Sequence, residues 1–169
     1  MKKTVLTFGL LSGVVSSLMM FTTVLFIDRI GFDKAVFVGY TAIVLSLLFV
    51  YFGVRSYRDN QLGGKISFGR AFGVGMLITL ISCVFYVIAW EIEYATVFAD
   101  FADKYAAFAM DQARASGASE AVMAAKAAEM ADMKKVMDSP IMRPLVVFIE
   151  PFPVGLLVTL ISAAVLRKK

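Results

Sequence analysis

The residues able to carry chemistry in this chain are few and unusually placed. There is no histidine, which removes the commonest general base and the commonest metal ligand together. The one cysteine, Cys83, lies inside an apolar run and has no second thiol to pair with. What remains is carboxylates: Glu150 stands in an apolar stretch beside Pro151 and Pro153, and Glu91 and Glu93 follow Trp90. Three carboxylates can attract a hard cation, but their spacing fixes no coordination geometry. No nucleophile, base and oxyanion set can be assembled from these residues, and no Gly-Lys-Ser/Thr phosphate loop follows a strand. The expectation is a protein that is not an enzyme, with no cofactor and no metal centre.

The methionines Met123, Met130, Met133 and Met137 fall on or near one face of a helical stretch. Thioethers are soft ligands that suit copper(I), but such sites usually recruit His or Cys, and this segment has neither. An apolar seam filled by an adaptable side chain is the simpler reading.

The elements that position these residues follow from composition. Sixty per cent of the residues are hydrophobic, against about 45–50% in a soluble domain. The mean hydropathy is +0.80. The charged residues cluster, and the positive excess flanks apolar runs, which points to membrane orientation and not to a nucleic-acid partner. Four runs are long enough to cross a hydrocarbon core of about 30 Å: about 4–27, 35–54, 68–90 and 141–166. The start, Met1-Lys2-Lys3, resembles the n-region of a signal peptide, but the first run is too long for an h-region and lacks an Ala-x-Ala site, so it reads as a retained helix. In the fourth run, Val154–Leu166 alone would reach only about 20 Å, so the span must include Pro151 and Pro153 and kink there. The fold class expected is all-α: residues 1–169 as one membrane domain, a four-transmembrane-helix bundle with an extracytoplasmic amphipathic helical hairpin in 91–140.

That hairpin is read from Val97, Phe98, Phe101, Tyr105 and Phe108, spaced three and four apart, from a break at Ser116-Gly117-Ala118-Ser119, and from a second helix over about Glu120–Met137. Orientation follows from short flanks: Lys2 and Lys3, then Arg55, Arg58, Lys65 and Arg70, then Arg167, Lys168 and Lys169 fall on one side of four spans. Both termini and the middle loop are therefore expected in the cytoplasm. Lys126, Lys134, Lys135 and Arg143 count the other way, but they lie among acids in a longer segment, where the rule is weaker.

Glu150 lies roughly 9 Å inside the fourth span, where a charge costs about 2.5–3.5 kcal/mol on insertion scales. It must be protonated, paired or facing water. Arg143, two turns earlier on the same face, is a candidate partner, and Glu150 is otherwise a candidate proton- or ligand-responsive group. Glu91 and Glu93 read as solvated flank charges beside the interfacial Trp90 and Tyr94. Gly9 with Gly13, and Gly69 with Gly73, let helix backbones approach closely, within the bundle or across a dimer face. The basic loop with Arg55, Arg58, Lys65 and Arg70 reads as a topology anchor that touches anionic headgroups, with Gly63-Gly64 as its turn and Ser67 as the cap of the third span.

The stretches Gly53-Val54-Arg55-Ser56-Tyr57-Arg58-Asp59 and Leu62-Gly63-Gly64-Lys65-Ile66-Ser67-Phe68-Gly69-Arg70-Ala71-Phe72 resemble a bacterial family of small four-span membrane proteins catalogued as a domain of unknown function. The likeness extends over nearly the whole chain: two spans, a basic loop, a third span, a charged helical segment and a last span ending in Lys/Arg. It implies the same architecture and a place in the bacterial cytoplasmic membrane, and it supplies no catalytic or ligand residues. The Glu150-Pro151-Phe152-Pro153 kink is outside the pattern.

Two functions are expected from different classes. One is a non-enzymatic membrane protein acting through helix packing or partner contact, as a homo-oligomer or with a membrane partner, through an apolar face on Val97–Phe108 of the outer hairpin. The other is a small oligomeric transporter or channel-like protein using Glu150, which requires that Glu150 face a cavity and not the headgroups.

Overall fold

The computed structural model describes residues 1–168, so the terminal Lys169 counted among the cationic flanks lies outside the described residues. The chain forms α1 (Lys2–Leu25), α2 (Ile27–Ile30), α3 (Phe32–Gln61), α4 (Phe68–Thr96), α5 (Phe101–Ala115), α6 (Glu120–Asp138), α7 (Met142–Ile149) and α8 (Pro151–Leu166). Helix is the outcome that apolar surroundings demand, because each backbone N–H must find its acceptor within the segment.

Helices α3 and α4 touch each other and form the centre, and each packs against both α1 and α8. Small residues set the spacing. Gly9 and Gly13 on α1 lie against Ile81 and Phe85 of α4: a Cβ on Gly13 would come within 2.6 Å of the Phe85 Cβ. Gly53 meets Ile78 and Phe8, Gly75 meets Thr159, and Gly155 meets Thr79. Gly69 and Gly73 do not take part, since a Cβ at either would meet nothing within 4 Å. They lie off the α4 face on which Ala71, Val74, Gly75 and Ile78 are buried, so within the chain only Gly9 and Gly13 of the four lie at a close helix approach. Hydroxyls pin the interior: Ser12 donates to the Ser46 carbonyl at 2.8 Å and shares a hydrogen bond of 2.9 Å with Ser82. Thr79 and Thr159 are joined at 3.0 Å.

One end of the bundle gathers both chain ends and the α3–α4 connection. The Met1 ammonium donates to Gln61 at 2.5 Å, Ile66 and Lys168 form a two-bond antiparallel bridge, and Arg58 donates to the Leu166 carbonyl at 3.4 Å. The basic segment is mostly helix and not loop: Arg55 and Arg58 lie on the last turns of α3, where Arg55–Asp59 (3.6 Å) and Arg58–Asp59 (2.7 Å) pairs support helix beyond the apolar run. Only 62–67 turns, through Gly63 and Gly64 at φ of 61° and 84°. Ser67 precedes α4 but makes no side-chain cap bond.

At the other end, α4 runs past Trp90 to Thr96, and α5 and α6 pack on each other across a turn in which Gly117 takes φ of 73°. Ser119 caps α6, accepting from the Val122 amide at 3.4 Å. The fourth run is two helices, α7 and α8, meeting at Glu150, with Pro151 opening α8 where its missing N–H costs least.

Candidate functional site: a cavity under an aromatic cap

The ends of α1, α3 and α4 away from the chain termini are bridged by rings. Phe32, at the start of α3, packs on Phe98, Tyr105 and Phe108, and Trp90 of α4 stands edge-on to Phe101 of α5 with centroids 5.1 Å apart. Phe98 is 4% exposed, whereas Val97 is 51% exposed. The helix expected from Val97 begins only at Phe101, because 97–100 turn the chain back so that the aromatic side of α5 closes on its own spans. The apolar face expected to stay open for a partner is therefore largely consumed within the chain.

Beneath this cap lies a cavity of about 360 Å³. Trp90, Phe98, Phe101 and Tyr105 form its upper wall, and Tyr86 and Glu150 one flank. Glu150 is the only charged residue lining it among the described residues. The Tyr86 hydroxyl donates to Glu150 Oε2 at 2.9 Å. Glu150 as a residue is exposed and stands at the edge of the cavity. Gly39 of α3 lines the opposite side, and a Cβ there would meet nothing within 4 Å.

Arg143 does not reach Glu150. It makes a two-pronged pair with Glu91, 2.8 and 2.7 Å, donates to the Met137 carbonyl at 2.7 Å, and lies 4.1 Å from the Tyr94 ring centre. Two turns of α7 separate it from Glu150, and α4 offers a carboxylate in the right place for a planar guanidinium fork. The pair is partly buried, with Arg143 13% and Glu91 31% exposed. Tyr94 also donates to Asp138 at 3.1 Å, so α4, α6 and α7 are tied at this point.

Glu93 overturns the reading of a solvated flank charge. Its side chain is 0% exposed, and neither carboxylate oxygen has a hydrogen-bond partner; the buried Trp90 Nε1 also lacks one. The periodicity places Glu93 two turns beyond Tyr86 on one face of α4. Met130 and Met137 are buried, Met137 in the cavity wall, and Met123 and Met133 half-buried, as an apolar seam requires. On the outer surface the charges pair locally: Lys134 with Asp103, Lys135 with Asp132, Lys126 with Glu129 and Lys104 with Asp100. The hydrogen bond that the Lys134 ammonium donates to Asp103 raises its pKa above the ordinary lysine range. At the opposite end Lys65 and Arg70 are exposed, and Cys83 is buried in the bundle.

Four helical stretches, Lys2–Leu25, Phe32–Gln61, Phe68–Thr96 and Met142–Leu166, are long and apolar enough to cross a membrane, which is the build of a multi-pass membrane protein. Within that class the chain belongs to the family described as protein of unknown function (DUF4199), whose model matches residues 7–168. No curated protein and no solved structure matches the chain.

Proposed function

We propose that this chain is a non-enzymatic, four-span protein of a bacterial cytoplasmic membrane, with both termini cytoplasmic, that holds a small membrane-borne molecule in the cavity under α5. The observation that carries the reading is the cavity itself: about 360 Å³, apolar, capped by rings and bordered by one hydrogen-bonded carboxylate. Concave apolar sites with a few convergent polar groups are the usual form of small-molecule sites. Partner contact through the aromatic side of α5 has less support, because that side is occupied. An enzymatic reading has no set of groups to carry it: the chain lacks histidine, and its one cysteine, Cys83, is buried.

The orientation is supported by the grouping of Lys2, Lys3, Arg55, Lys65, Arg70, Arg167 and Lys168 toward the end where the termini meet the α3–α4 turn. The outer cations that counted against it are each neutralised by a neighbouring acid. Anionic headgroups are the natural partners of the basic end, at about 1 kcal/mol per cation near the surface.

The test uses Trp90, the single tryptophan, which lines the cavity. Purified protein in nonionic maltoside micelles is titrated with the neutral apolar dye N-phenyl-1-naphthylamine. Saturable energy transfer from Trp90 is expected, and Gly39→Leu, which adds a side chain at a lining position with open space around its Cβ, weakens it. Transfer that rises without saturation and is the same in Gly39→Leu means the dye dissolves only in the micelle, and the reading fails.

A further inference from the structure

We propose that the cavity takes a monovalent organic cation with an apolar body, an aryl- or alkylammonium, seated with its charge against Glu150 and its body among the rings; the proposal rests on the cavity being a binding site.

Charge decides the class of ligand. Among the described residues Glu150 is the only charged one in the lining and forms no ion pair, its one side-chain partner being the neutral Tyr86 hydroxyl. Two cations at this end of the bundle are already engaged. Arg143 is held by Glu91 at 2.7 Å, and Lys104, whose ammonium lies 5.9 Å from the Phe98 ring centre, is paired with Asp100 at 3.0 Å. A carboxylate bordering an apolar space, with no cation in the lining, creates a negative potential that a low-dielectric setting screens poorly. An anionic ligand would meet that potential, and a neutral one would leave Glu150 uncompensated. A cation completes the ion pair, and Trp90, Phe98, Phe101 and Tyr105 supply negative ring faces and edges of the kind that hold alkylammonium groups. The chain already uses rings this way, at Arg143 over Tyr94 (4.1 Å) and Arg29 over Phe26 (5.8 Å). A compact headgroup with one aromatic or short aliphatic tail fits a volume of about 360 Å³.

The experiment compares two probes of the same shape, benzyltrimethylammonium and its uncharged carbon isostere neopentylbenzene, by the change in Trp90 emission of the full chain in nonionic micelles. The ammonium is expected to bind at least about tenfold more tightly than the isostere. Glu150→Gln, whose amide oxygen can still accept from Tyr86, is expected to remove that advantage while the isostere still binds. The isostere thus also checks that the variant is folded. Equal affinity of the two probes for the native chain, or an ammonium advantage that survives Glu150→Gln, overturns the cation assignment and leaves the cavity reading standing. If neither probe moves Trp90 emission in the native chain, both the assignment and the cavity reading fall.

Discussion

At the scale of single residues, the two outer acids on α4 have opposite energetic roles. Glu91 is matched by Arg143 in a half-buried fork, and removing either partner leaves the other charge with poor solvation. Arg143→Met is therefore expected to lower unfolding free energy by about 1–2 kcal/mol. A double-mutant cycle with Glu91→Gln, followed by thermal melting in micelles, should return a coupling of that order; additivity would show the pair is inert. Glu93 is a cost to folding: a buried carboxyl without partners is destabilising by about 1–3 kcal/mol. Glu93→Met, close in shape, is expected to raise the melting temperature, and a drop would mean an unseen partner satisfies the acid. Nothing in the local sequence Glu91-Ile92-Glu93 separates these two fates. Both follow a tryptophan at the end of an apolar run, and what distinguishes them is which face of α4 the helices α5 and α7 come to cover. A partner 52 residues away for Glu91 is a tertiary fact, legible in no spacing.

At the scale of elements, hydropathy located the four spans because apolar runs of that length are costly in water and match the thickness of a bilayer. It misplaced their ends. Arg55–Gln61 and Glu91–Thr96 are polar enough to look like loops, yet α3 and α4 continue through them, α3 with support from the shared Asp59. The turn at Gly117 and the cap at Ser119 were legible because glycine and serine act locally there, through a left-handed φ and a side-chain acceptor. The closing of α5 was not, since the three-and-four spacing of Phe101, Tyr105 and Phe108 shows that a face is apolar and not what covers it. Phe101→Ala removes the ring edge-on to Trp90 at 5.1 Å and should cost about 3–5 kcal/mol if the cap does not collapse. Trp90 emission is expected to shift to the red as water enters, and an unchanged spectrum would mean that α5 does not seal the cavity. Among the glycines, Gly13→Ala should destabilise the bundle through the Phe85 contact. Gly69→Ala, with open space at its Cβ, should be neutral or stabilising by about 0.5–1 kcal/mol. Parallel melts of the two variants separate them.

At the scale of the whole molecule, the orientation has a direct test. With Cys83 buried as a silent background, single cysteines at Lys3, Lys65 and Ser116 report the two ends. A membrane-impermeant maleimide applied to intact cells is expected to label Ser116→Cys alone, and labelling of Lys65→Cys from outside would invert the topology. The same molecule also has an uneven grain. The backbone-to-side-chain contacts at Gly9, Gly13, Gly53, Gly75 and Gly155, with the serine and threonine bonds between helices, lie on the side of the cavity toward the chain ends, whereas the cavity itself is open space lined by rings, aliphatic side chains and one open glycine. A body clamped at one extremity and loosely filled at the other deforms as a cantilever does: displacement grows with distance from the clamp. Amide protons of Val50, Val74 and Ile78 should then be among the last to exchange, those of Val147 and Phe98 far earlier. Entry of a guest between α7 and its neighbours would need only a slight splaying of free tips, with the rooted end left undisturbed.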